Sequence, residues 1–183
     1  MSEVSERYER TVAGFATRLK NVPADLWSAP TPCTEWTVRD LVAHVIGTHW
    51  RIDALRTGSE PVAVDPTGDL WAQWQSATDT IREAVGDEAW AAATVVHRVM
   101  GEMPFESVVS GLLCTDLLGH TWDLARATGQ DERLDPDAVA ASMAFAVTAD
   151  EPMRRSGAFA AKIEPAPGAD AQTRYLNFCG RRV

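Results

Sequence analysis

The residues of this chain best suited to chemistry are two histidines and an aspartate. Asp116 and His120 stand four apart, which puts them about 40° apart on a helix and roughly one turn along it. A carboxylate and an imidazole so spaced can share a metal ion, as inward-facing side chains do in helix bundles. Two donors from one helix hold a metal weakly, so a third is needed from elsewhere. His44 is the candidate, because it sits in the apolar stripe 38–46 where a polar ring needs a partner. Two imidazoles and a carboxylate suit zinc, with a fourth position left for water or substrate. Nickel and ferrous iron accept the same donors. Asp123, three past His120, falls on the same side of the helix, and either it or Asp40 is placed to orient an imidazole. Arg126 is a candidate for gripping a substrate carboxylate, or else an ion-pair partner of Asp123 or Asp40. Each pairing also has an ordinary alternative: Asp116–His120 as a surface hydrogen bond, and His44 as a satisfied core histidine.

Other reactive side chains fit less well. His49 is five after His44, about 140° round the helix, and cannot share its face. His97 lies in a connector and is expected at the surface. Cys114, two before Asp116, points away from the ligand face and reads as a buried thiol. With Cys33 and Cys179 it makes an odd count in no metal-like spacing, which disfavours a disulfide framework. The seven tryptophans read mostly as core, with Trp36 and Trp122 as possible pocket walls.

The elements that must position these groups are helical. A first helix is expected over 3–20, with Val4, Tyr8, Val12, Phe15 and Leu19 on one stripe, ended by Asn21-Val22-Pro23. An extended, proline-punctuated segment, 26–33, lays Trp27 on the core. Thr37-Val38-Arg39-Asp40 reads as a capping box that opens a second helix, stopped at Gly58. A third helix is expected over 69–85 and a long one over 105–128, closed by Gly129. Between them the alternating, β-branched run 94–99 is suited to an extended conformation. Asp135-Pro136 has the cap-then-proline order of a helix start. The last thirty residues read as loop-rich, with a short helix near 169–178. Strand propensity is too sparse for a large sheet, so the architecture expected is all-α, a helix bundle.

Composition narrows the function classes. The net charge is −9, from 17 basic against 26 acidic residues, which argues against a sequence-independent grip on nucleic acid. No stretch approaches the roughly 20 apolar residues of a membrane span, and the charged N-terminus lacks a signal-peptide core. A cytoplasmic protein is therefore expected. The near-exclusive use of Arg over Lys, with Ala-rich segments, points to a high-GC bacterial genome.

Two long motifs carry a family resemblance. Leu26-Trp27 followed by residues 30–45 (PTPCTEWTVRDLVAHV) resembles the N-terminal signature of actinobacterial DinB-like proteins grouped with mycothiol-dependent maleylpyruvate isomerase. Residues 116–130 (DLLGHTWDLARATGQ) are similar to that family's (D/E)xxxHxWDLAxATG stretch, and residues 175–181 (YLNFCGR) resemble the tail of its small, single-domain branch. The resemblance implies a single domain over 1–183, built as a DinB-like four-helix bundle with short additional C-terminal elements. It implies a zinc-type site whose ligands match His44, Asp116 and His120. It also implies a low-molecular-weight thiol, mycothiol or bacillithiol, used in isomerase or S-transferase reactions on a small molecule. A metal-bound thiol ionises far below the free value near 8.5, which makes a thiolate nucleophile at neutral pH.

The isomerase has a glutamate where this chain has Asp116, and a further C-terminal domain that this chain is expected to lack. Transferase chemistry is accordingly expected rather than maleylpyruvate isomerisation. The rivals are a non-catalytic metal or small-ligand binding module, and a thiol-independent biosynthetic enzyme using the same metal site.

Overall fold

The computed structural model describes residues 2–183. Helix α1 spans Glu3–Lys20, opened by the Ser2 hydroxyl accepting from the Ser5 amide, with Glu3 and Glu6 in its first turn and Arg18 and Lys20 in its last. Those charges complement the helix dipole at both ends. Its stripe of Tyr8, Val12, Phe15 and Leu19 is buried as expected. Helix α2 (Val38–Thr57) opens on the capping box, in which Thr37 and Asp40 exchange side-chain and backbone hydrogen bonds. It closes on Gly58 at φ 68°, a left-handed cap that glycine adopts without steric cost. Asp40 is thereby committed to the cap and is not available to orient an imidazole.

Helix α3 (Leu70–Gly86) starts under the Asp69 cap. It runs through Gly86, and Asp87 then caps a short helix, α4 (Glu88–Ala92), that hydrophobic periodicity was too brief to signal. The extended run pairs as an antiparallel hairpin, β1 (Thr94–His97) with β2 (Gly101–Pro104). This two-stranded sheet is an addition to the all-helical expectation.

The long helix expected over 105–128 is helical throughout but not uniformly α. After α5 (Phe105–Ser107) the backbone widens into a π-helical stretch, Val108–Leu113, before α6 (Cys114–Thr128). The Cys114 amide reaches the Val109 carbonyl, five residues back. Gly111 in this stretch has no room for a side chain, since a Cβ there would lie 2.6 Å from the Phe145 ring. Helices α7 (Pro136–Thr148), α8 (Asp150–Arg155) and α9 (Ala171–Phe178) complete the chain. The start of α7 and the position of α9 match the sequence reading, whereas α8 was not foreseen.

Helix α1 packs against α6 and α3, and α2 packs against the same two. A large apolar core fills the space between them around Phe15, Leu41, Ile46, Trp74, Ile81 and Leu117. A second, smaller core joins α6 to α7 and α9 through Trp122, Val139, Tyr175 and Leu176. The contact of α2 with α6 places His44 opposite Asp116 and His120. No helix of the described residues is long and apolar enough to cross a membrane.

Candidate metal centre

Three donors on two helices converge. His44 comes from α2, Asp116 and His120 from α6, and one donor atom of each lies within 4.8 Å of the others. The His44 Nε2 is 3.7 Å from Asp116 Oδ1, and the His120 Nε2 is 3.4 Å from the same oxygen. Adjacent donors on a tetrahedral zinc, at bond lengths of about 2.0–2.1 Å, stand ~3.4 Å apart. The spacing therefore fits a shared ion. The second carboxylate oxygen, Asp116 Oδ2, is buried and has no hydrogen-bond partner among the described residues. An orphaned acceptor of this kind is costly to bury, and a cation would satisfy it.

His120 is held from its other side. Its Nδ1 donates to Asp123 Oδ2 at 2.9 Å, which leaves Nε2 to face Asp116; this is the arrangement that orients a metal-binding imidazole. Asp123 is fully buried and receives two bonds from the Arg181 guanidinium, Nε to Oδ1 at 2.9 Å and Nη2 to Oδ2 at 2.7 Å. Two glycines make that contact possible. A Cβ on Gly119 would meet the guanidinium at 3.1 Å, and Gly180 turns the chain at φ 91° just before Arg181.

Charge in the site is set by these neighbours. Burial pushes the Asp116 carboxyl up, but His120 and then His44 outweigh it and hold the group well below the usual carboxylate range. Burial likewise depresses His120, and the carboxylates of Asp116 and Asp123 reverse this and hold it well above an ordinary histidine. Burial raises Asp123 while Arg181 and His120 lower it, with a net downward shift. A proton and a cation thus compete for the same His120 lone pair.

A second triad shares His120. The Cys33 Sγ lies 3.3 Å from Asp123 Oδ2 and 3.8 Å from His120 Nδ1, so Cys33, His120 and Asp123 also form a candidate ligand group. Of the two sets, the first suits a cation better. The Asp123 charge is already matched by a guanidinium, whereas none bonds Asp116 among the described residues.

The remaining candidates distribute as follows. Trp36 walls the site, its ring 4.5 Å from His44 and 5.9 Å from His120. Trp122 does not; it is fully buried in the smaller core. Arg126 lies outside the site, contrary to the sequence expectation. It lies six residues past His120, about 240° round the helix, pairs with Glu132 at 2.8 Å and stacks 4.4 Å over Trp122. It neither lines the site nor meets Asp123 or Asp40. His97 is half-buried in a cavity wall rather than on open surface. Cys114 is buried, and burial raises its thiol to about 11. Cys33 and Arg181 were missed because contacts spanning 90 and 58 residues leave no periodic trace. The signal at hand was that both lie inside the motif segments.

Two cavities meet at the triad. One, of about 570 Å³, is bounded by Cys33, Trp36, His120, Asp123 and Arg181. The other, of about 450 Å³, is largely apolar and bounded by Ile52, Leu55, Val96, Leu112 and Met153. His44, Asp116 and Arg98 line both.

Residues 8–125 match the family described as mycothiol maleylpyruvate isomerase N-terminal domain. The match takes in His44, Asp116, His120, Asp123 and Cys33. Uncharacterized proteins from two strains of Mycobacterium tuberculosis are each 38% identical to the chain over 140 residues, covering 76% of this chain and 75% of theirs. The chain belongs to the mycothiol maleylpyruvate isomerase N-terminal domain family.

Proposed function

We propose that the chain is a single DinB-like domain over 1–183, with α1, α2, α3 and α6 as its four-helix bundle, and that it binds one divalent cation through His44, Asp116 and His120. Zinc is the ion best matched by two imidazoles and a carboxylate. The observation that carries the reading is the placement of both Nε2 atoms, from separate helices, within 3.7 Å of a single Asp116 oxygen. The reaction proposed is S-transfer from a low-molecular-weight thiol of the mycothiol type, in keeping with the family match. A bound divalent cation supplies the charge that keeps such a thiol ionised at neutral pH.

The chain's own residues divide the remaining work. Asp123 and Arg181 fix the His120 ring, and Trp36 packs against His44 and excludes water from one side. The cavity beside Cys33 and Arg181, the more polar of the two, offers donors and acceptors to a hydrophilic thiol. Elemental analysis of untagged protein tests the reading. One ion per chain is expected, lost in His120→Ala and kept in His49→Leu, with thiol-dependent consumption of an electrophile tracking the metal content. Unchanged metal in His120→Ala would refute the ligand assignment.

A further inference from the structure

The apolar cavity beside the triad is lined by two guanidiniums, Arg51 and Arg98, that form no ion pair with a carboxylate among the described residues. Many arginines of this chain are tied down, as Arg56 is by Asp53 at 2.6 Å, Arg154 by Asp150 at 2.7 Å and Arg39 by the Pro66 carbonyl at 2.7 Å. Among the described residues Arg51 donates only to the Thr48 hydroxyl, at 2.6 Å. The Arg98 guanidinium has no hydrogen-bond or carboxylate partner among the described residues. Both line the 450 Å³ cavity. Burial disfavours the Arg51 charge; Asp116, already a member of the triad, favours it, and Arg98 disfavours it again. Two mutually repelling cations are therefore kept together, in a chain of net charge −9, at the mouth of an apolar chamber. Val96 in the chamber wall is 64% exposed, more than the other exposed large apolar side chains. Burial of exposed apolar surface is favourable, and so is pairing a guanidinium with a carboxylate.

We infer that this cavity binds a monocarboxylate with an apolar body, its carboxylate on Arg51 and Arg98 and its body against Leu55, Val96, Leu112 and Met153. Such a molecule would lie next to His44 and Asp116, across the triad from the more polar cavity. The two chambers then separate the partners of a transfer reaction, a hydrophilic thiol on the Cys33–Arg181 side and an apolar acid on the hairpin side. Treating the acid as the substrate rests on the metal reading above; the binding site itself does not.

Calorimetry on the metal-loaded full chain with 4-phenylbutyrate, 4-phenyl-1-butanol and acetate as probes tests this. The acid should bind at least about tenfold more tightly than either the alcohol or acetate, since a charge-assisted pair and burial of the apolar body each contribute about 1.4 kcal/mol or more, which is tenfold. Arg51→Gln or Arg98→Gln, both at exposed positions, should erase most of the preference for the acid over the alcohol. Affinity for the acid should survive removal of metal by a chelator. Equal binding of alcohol and acid, or of acetate and phenylbutyrate, overturns the inference. So does loss of binding on chelation, which would make the carboxylate a metal ligand instead. A protein that purifies without metal yet still binds phenylbutyrate selectively defeats the metal reading and leaves this site standing.

Discussion

His120 and His49 are both buried imidazoles, on helices α6 and α2 that pack together, and their surroundings favour opposite charge states. His120 has a carboxylate facing each ring nitrogen and is held well above an ordinary histidine. His49 is wholly buried between Tyr8 and Trp74. Its Nδ1 donates to the Val45 carbonyl at 2.8 Å, and its Nε2 has no partner among the described residues. Burial pulls it down to about 4. Desolvation is common to both positions, so it does not decide the outcome. Carboxylate placement does: it makes one ring a competent donor and leaves the other a neutral core residue.

The contrast can be broken most forcefully from the His120 side. Arg181→Met removes one partner of a buried ion pair and leaves Asp123 with only His120 and Cys33, and breaking such a pair costs about 3–5 kcal/mol. The denaturation midpoint of metal-free protein should fall accordingly, while the equivalent disturbance near His49 involves no charge. If Arg181→Met were as stable as wild type, the charge network would not be what fixes His120.

The His49 side gives the next effect, of about 3 kcal/mol, and it depends on pH. The folded value of about 4 lies below the ordinary 6.5, so between them the unfolded chain binds the proton more tightly. Stability from this group is whole above pH 6.5 and is lost as the pH falls towards 4. His49→Leu should flatten the stability curve across that window relative to wild type, as followed by chemical denaturation at several pH values. An unchanged slope would mean that His49 is not held neutral.

A smaller effect sharpens the role of the carboxylate behind the ring. Asp123→Asn keeps the shape but weakens the hold on His120 Nδ1, and the affinity for zinc should fall about 10–100-fold in a competition titration. The smallest change should leave the contrast intact. Thr37→Ala removes the cap of α2, the helix that carries both His44 and His49, at a cost of about 1 kcal/mol. Thermal stability should drop slightly, with neither the pH slope nor the relative metal affinity altered.

Much of this contrast was legible in the sequence, and the reason is local geometry. The 116–120 and 116–123 spacings fix a helix face outright, and the 44–49 spacing correctly sends those two histidines to different faces. Element boundaries followed from caps: Thr37 with Asp40, Gly58, Gly129, and Asp135 with Pro136. What escaped was non-local or too short to carry a period. Cys33 and Arg181 reach the site from a loop and a tail. Arg126 found its acid in the loop just beyond α6 rather than in the site. Helices α4 and α8 are five and six residues long, below the length at which an amphipathic stripe can be read. The π-helical stretch is invisible to any pattern based on 3.6 residues per turn.

That stretch also governs how the chain can change length. Removing one residue of α6 ahead of Asp116 would turn everything beyond it by about 100°, carrying the ligand pair away from α2. A π-type turn amounts to an α-helix that has absorbed an extra residue. Loss of one residue between 108 and 113 would restore regular pitch and keep Phe105 on one side and Asp116 on the other in their present directions. The helix therefore contains, just ahead of its ligands, a segment where a codon can be lost without re-aiming the site.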